Sequence, residues 1–173
     1  MASPPLHERL VFDVAEGQVL DANRRYVLMR ADVLMGMFAF LPEPAVREAL
    51  AALARSVQTH GANSVSAYEN TTGASSLQLF DVVAQGASSL GWGVWEFEPG
   101  ADVCRLVVRN SPFAAARGTI HGPACAPIVG MMKAVCAHVW KRGCTAAEIE
   151  CCACATGAHA PGQGLCRFEA SAT

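Results

Sequence analysis

The sequence predicts an α+β fold: one domain, residues 1–173, with helices packed against an antiparallel sheet. Three observations carry this. Two alternating apolar hairpins stand in the C-terminal half, helical apolar spacing recurs in three separate stretches, and no repeat or linker-like run divides the chain. A length of 173 residues suits a single core, and 52% apolar against 16% charged residues argues for an ordered chain with apolar surface to spare for a partner copy. The formal net charge of -2, without a Lys/Arg run, argues against nucleic acid as a partner. The longest strongly apolar stretch, Ala31 to Leu41, is too short to span a bilayer. Met1 to Phe12 mixes Pro, His, Glu and Arg and lacks the apolar core of a signal peptide, so a cytoplasmic location is expected.

The elements follow in order. Arg9 to Val14 and Gln18 to Leu20 read as a hairpin about Ala15-Glu16-Gly17, with Arg25 to Met29 extending it. Ala31 to Leu41 reads as a short buried helix. A helix starts after Pro42, with Ala45, Val46, Leu50, Leu53, Ala54 and Val57 at helical spacing and Gly61 as its expected stop. A second spans Ser75 to Leu90, ended by Gly91. Gly91 to Glu98 and Val103 to Arg109 pair as strands, and Cys125 to Arg142 is a helix apolar on nearly all sides, hence covered on more than one face and suited to a dimer interface. Ala147 to Thr156 and Gly164 to Ala170 form the last hairpin, around Ala158 to Gly162.

Eight cysteines, none before Cys104 and five between Cys144 and Cys166, are clustered in a way that points to metal rather than to a disulfide framework. Zinc takes four donors from thiolate, imidazole and carboxylate. Cys125 stands in the first turn of the apolar helix, where the dipole favours a thiolate. Glu148 and Cys151 lie on the following strand, and Cys166 on the returning one. Strand periodicity places Glu148 with Cys152 and Cys154 rather than Cys151, so a set containing Cys151 requires a bulge or curl between the two. Cys125, Glu148 and Cys166 with Cys152 or Cys154 is the alternative. Cys136, eleven residues along the helix from Cys125, is roughly 16 Å away at helical rise and reads, with Cys144, as core.

The run Asn110-Ser111-Pro112-Phe113, Cys125 ahead of a Gly-containing apolar helix, Glu148-x-x-Cys151, and Cys166-Arg167-Phe168-Glu169 together resemble the signature of the 4-vinyl-reductase-like (4VR) domains. The likeness is best over residues 91–173. It implies zinc held by Cys125, Glu148, Cys151 and Cys166, and a fold related to vesicle-tethering subunits, which work by pairing. The stretch between Cys151 and Cys166 is longer than in the family, which brings His159 into consideration as a replacement ligand.

Trp95 and Phe97 share one face of the aromatic strand and Trp92 the other. With Phe80 and Tyr68, the first two are candidates to line a cavity for a small apolar or aromatic molecule, against plain core packing as the simpler reading. The resemblance implies the same ligand class. His60 and His138 fit no pattern, and His121 is either a neighbour of the metal site or a loop residue at the surface. No G-x-S-x-G, P-loop or dinucleotide fingerprint is present. A closed four-donor metal centre points to binding or sensing. A reductase or accessory factor acting on a tetrapyrrole vinyl group is the alternative that the family name suggests, and a dimeric scaffold the third.

Overall fold

The computed structural model describes residues 4–117, 120–154 and 164–173. Its centre is a four-stranded antiparallel sheet in the order β4-β5-β7-β6, made of β4 (Val94–Pro99), β5 (Val103–Arg109), β6 (Cys144–Glu150) and β7 (Leu165–Ala172). The period-two alternation in these strands separates two faces. Cys104, Leu106 and Val108 of β5 and Cys166, Phe168 and Ala170 of β7 point inward and are buried. The outer face is solvated and carries cross-strand ion pairs, Arg109–Glu96 at 2.8 Å and Arg105–Glu169 at 3.3 Å.

Two helices cover the inner face in succession. Helix α6 (Ala126–Trp140) lies on β6 and β7, and the long helix α3 (Glu43–Thr72) crosses over it. Helix α4 (Gln78–Ser89) packs beside β4. Ile128, Met132, Val135 and Cys136 are all fully buried. The apolar belt of α6 is therefore consumed inside the domain, which overturns the expectation that this helix offers a dimer face.

The expected stop at Gly61 is also overturned. Helix α3 runs on to Thr72 and ends at Gly73, whose φ of 63° suits a left-handed cap. Gly61 instead marks the crossing of α3 and α6: an added Cβ would come within 2.9 Å of Met131 Cε. Gly130 does the same from the other side, where a Cβ would meet the Ala54 carbonyl at 2.3 Å. Glycine here permits close approach of two backbones, at the expense of local helix propensity.

The N-terminal part forms a separate three-stranded meander of β1 (Val11–Asp13), β2 (Gln18–Asp21) and β3 (Arg24–Tyr26), preceded by the single turn α1 (Leu6–Arg9). Buried Asp21 is gripped by Arg9 through two hydrogen bonds of 3.1 and 3.0 Å. Residues 31–41 form α2 (Ala31–Gly36) and a 3-10 turn (Met37–Phe40). Only Met35 and Phe38 of this stretch are buried; Val33 and Phe40 are exposed, so the expected buried helix is buried on one side alone. Val11, Phe12, Val14, Val27, Leu28 and Met29 are exposed as well, leaving a broad apolar surface along the N-terminal part. None of the described helices is long and apolar enough to cross a membrane.

Candidate functional site

The last hairpin and the start of α6 meet at a cluster of sulfur and carboxylate. Cys125 is the N-cap residue of α6, Glu148 lies near the end of β6, Cys151 directly follows that strand, and Cys166 opens the inner face of β7. One donor atom from each of the four lies within 4.8 Å of all the others, so the group could hold a metal ion. Cys125 Sγ and Cys166 Sγ are 3.9 Å apart. Two sulfurs bound to one tetrahedral zinc at about 2.3 Å each would stand about 3.8 Å apart.

The periodicity objection to Glu148 and Cys151 is removed by a β-bulge. Phe168 pairs with Glu148 and its neighbour Arg167 with Glu150, leaving Ile149 as an extra residue exposed to solvent. The strand then ends at Glu150, earlier than the expected Thr156. Cys151 to Cys154 form a turn closed by the Cys154 N–H on the Cys151 carbonyl at 2.8 Å. The bulge and the turn bring Cys151 back beside Glu148. Cys152 is displaced but close, its sulfur 3.5 Å from that of Cys166, while Cys154 is exposed. His159 lies outside the described residues.

The surroundings suit an anionic donor set. The Cys125 backbone N–H donates to Glu148 Oε2 at 2.9 Å, and the other carboxylate oxygen, Oε1, is buried with no hydrogen-bond partner. An orphaned carboxylate oxygen among three thiols fits a cation as its missing partner. Burial, the largest influence, pushes the Glu148 carboxyl up to about 7, and the Cys125 N–H opposes it. Among the thiols, Cys151 is held far below the ordinary range by hydrogen bonds from Cys125 and Cys166, helped by the Ala153 backbone N–H. Cys125 is driven up by those same bonds to Cys151 and Cys166 and by burial. Cys166 is lowered by Cys125, but Cys151 and burial together leave it raised. Hydrogen bonding within the cluster thus favours the anion at Cys151 and disfavours it at Cys125.

Asn110 to Phe113 explain their place in the motif. Asn110 takes a φ of 58°, tolerable for asparagine, and turns the chain off β5. Ser111, almost wholly buried, caps the short helix α5 (Pro112–Ala115) and lies 3.2 Å from Cys125 Sγ. Phe113 meets the edge of Trp92 at a centroid distance of 5.2 Å.

Trp92 stands in the wall of a cavity of about 530 Å³. The cavity lies between β3, the middle of α3, α4 and the entry to β4, and Trp95, Tyr68, His60, Val83 and Met131 also line it. Of the four aromatic candidates, Trp95 and Tyr68 reach this cavity. Phe80 and Phe97 do not line it: they meet each other tilted by 52° at a centroid distance of 5.0 Å, and Phe97 also meets Trp95 edge-on. Trp92 was expected on the opposite face. Gly91 and Gly93, with φ of 75° and 97°, keep the chain out of the strand until Val94 and free Trp92 from its alternation. The Trp92 backbone carbonyl accepts from Trp95 Nε1 at 3.0 Å, which fixes the Trp95 indole against the chain at Trp92. His60 gave no local sign of this role, and His121 is an exposed loop residue.

No family model matches the chain, and no curated protein sequence matches it. The solved structures do share its architecture. The phenol-responsive sensory domain of the transcription activator PoxR, determined with phenol, is similar with a TM-score of 0.76 over 96% of this chain and 86% of that one, at 16% identity. At that identity the likeness establishes a common fold. A trafficking protein particle complex subunit 3 from Naegleria fowleri, covalently bound to palmitic acid, is similar at a TM-score of 0.49 and 10% identity over 83% of this chain and 95% of its own, too low to support an argument.

Proposed function

We propose that this chain is a sensory or binding domain for a small apolar or aromatic molecule, stabilised by zinc on Cys125, Glu148, Cys151 and Cys166. The observation that carries the reading is the cavity of about 530 Å³ with two indoles in its wall, a size and lining suited to a small organic ligand. The phenol-responsive PoxR domain, alike in fold, lends it support, as does the resemblance to 4-vinyl-reductase-like domains. Three thiols and one carboxylate within 4.8 Å suit a single zinc ion better than a cluster of irons. Zinc with four protein donors has no open position, so its part is structural: it ties the start of α6 to both strands of the last hairpin. Contacts run from the cavity wall to this centre through Trp92, Phe113, Ser111 and Cys125. Occupation of the cavity can be transmitted to the hairpin along that path.

Pairing of two copies through the exposed apolar surface of residues 11–41 belongs to the same proposal. Val14, Val27, Leu28 and Phe40 are each at least 70% exposed. A stable interface needs about 800 Å² from each partner. A cytoplasmic setting fits as well, since the thiols are free.

Native mass spectrometry of the purified protein tests these points together. The expected species is a dimer with one zinc per chain and a small organic mass that dissociates on activation. A metal-free monomer that takes up no aromatic compound on titration would end the proposal.

Metal affinity should also depend on pH in a particular way. A metal-bound Glu148 must be ionised, and its carboxyl in the metal-free protein carries its proton below about pH 7. Below that pH one more proton has to leave than above it, so apparent affinity should fall more steeply, by about a further tenfold per unit. Competition against a chelator between roughly pH 5.5 and 8.5 would show the break. Glu148→Gln should bind more weakly throughout and lack the break.

A further inference from the structure

The charged residues in the cavity wall are all of one sign. Arg24 and Arg25 line it, with His60 as a further polar group, and among the described residues no aspartate or glutamate does, although the whole chain carries a formal net charge of -2. Arg24 and Tyr26 share the half-buried face of β3, while Arg25 between them is exposed and donates to the Gly17 carbonyl at 3.4 Å. Asn63 and Ser64 of α3 add neutral polar groups on the same wall, while Val83 and Ala87 of α4, Leu90 at its C-cap and the two indoles are apolar. The cavity thus has an apolar, aromatic side and a cationic, hydrogen-bonding side.

Arg24 holds a special place. A second chamber of about 260 Å³ adjoins the first, and Arg24, Tyr68 and Gly86 line both. The second chamber also contains Arg9 and Asp21, but these two are engaged with each other in a two-point ion pair. Arg24 has no carboxylate within 4.0 Å among the described residues. As a residue it is half-buried, and it lines both chambers. A partly desolvated arginine without a counter-ion favours a planar anion, to which it can donate two parallel hydrogen bonds. The joint space exceeds what a single six-membered ring would fill, and a two-ring ligand could place its rings against Trp92 and Trp95 with its charged group at the junction.

Resting on the reading of the cavity as a ligand site, we infer that the preferred ligand is an aromatic carboxylate, its anionic group held by Arg24. A neutral aromatic hydrocarbon would use only the apolar side.

An isosteric pair of probes tests this: 2-naphthoate and its neutral amide, 2-naphthamide, titrated by calorimetry into the full chain. The acid should bind about tenfold or more tightly than the amide, the scale of one charge-assisted pair. Added salt should weaken the acid alone. Arg24→Gln should erase the difference by lowering affinity for the acid while leaving the amide unchanged, and Arg24→Lys should recover part of it. Retention of the amide shows that the variant is folded. Equal affinity of the two probes in the native protein would overturn the inference and leave the ligand site standing. So would an Arg24→Gln variant that weakens both probes alike. Binding of neither probe, nor of 2-naphthol, would overturn the cavity reading itself and this inference with it.

Discussion

If the proposed zinc site is right, replacing Cys125 by serine should abolish metal binding, and the folded domain should lose stability by about 3–5 kcal/mol, the scale for breaking a buried charged assembly. The size of the effect follows from position. Cys125 caps α6, the helix buried between α3 and the sheet, and its donor set reaches into both β6 and β7. Without the ion, the buried Oε1 of Glu148 has no partner among three clustered thiols. Cys166→Ser should behave alike. Cys136→Ala should retain full metal, because Cys136 lies inside the core beside Cys104, on the far part of the same helix. Cys152→Ala is the decisive control, its sulfur being 3.5 Å from Cys166. Metal analysis and thermal melts, each with chelator-treated wild type alongside, provide the measurement. Were Cys152→Ala to empty the site while Cys151→Ala kept it, the donor set would be the other one that strand alternation permits.

Gly86→Leu should abolish ligand binding without harming the fold. Gly86 sits within α4 and lines both chambers, and a Cβ built on it meets no atom within 4 Å. A leucine there projects into the space that the ligand is proposed to occupy. Affinity for 2-naphthamide should fall more than tenfold, about 1.4 kcal/mol or more. Stability should hold or rise by about 0.5–1 kcal/mol, because glycine is a poor residue in a helix interior. Calorimetric titration with a urea melt separates the two quantities. Undiminished binding would place the ligand elsewhere.

How much of this was readable in advance differs from element to element. Strand β5 was expected at Val103 to Arg109 and is found there, because its side chains alternate cleanly between core and solvent. The first hairpin and α4 follow their turn residues in the same way. Helix α3 was cut short at Gly61, since a glycine that admits a neighbouring helix looks the same in sequence as one that ends its own. The half-exposure of residues 31–41 was hidden for a related reason: apolar composition announces that a surface will be covered, without saying by what. His60 and Arg24 carry no local signature, and they join a cavity wall because of where α3 and β3 come to lie.

By itself the sequence determined the chemistry at hand: an α+β chain with its thiols gathered in the C-terminal third, an acidic residue among them, and aromatic side chains before the central hairpin. These depend on residue type and on spacing within one element, which local stereochemistry fixes. Only the tertiary structure decided which donors meet and which aromatic rings enclose space. Glu148 and Cys151 come together through a one-residue bulge defined by pairing with β7, and Trp92 joins Trp95 because two glycines with positive φ delay the strand. The bulge depends on pairing between segments far apart in the chain, where a shift of one residue turns a side chain to the opposite face, and the space beside the indoles is enclosed by α3, α4 and β3.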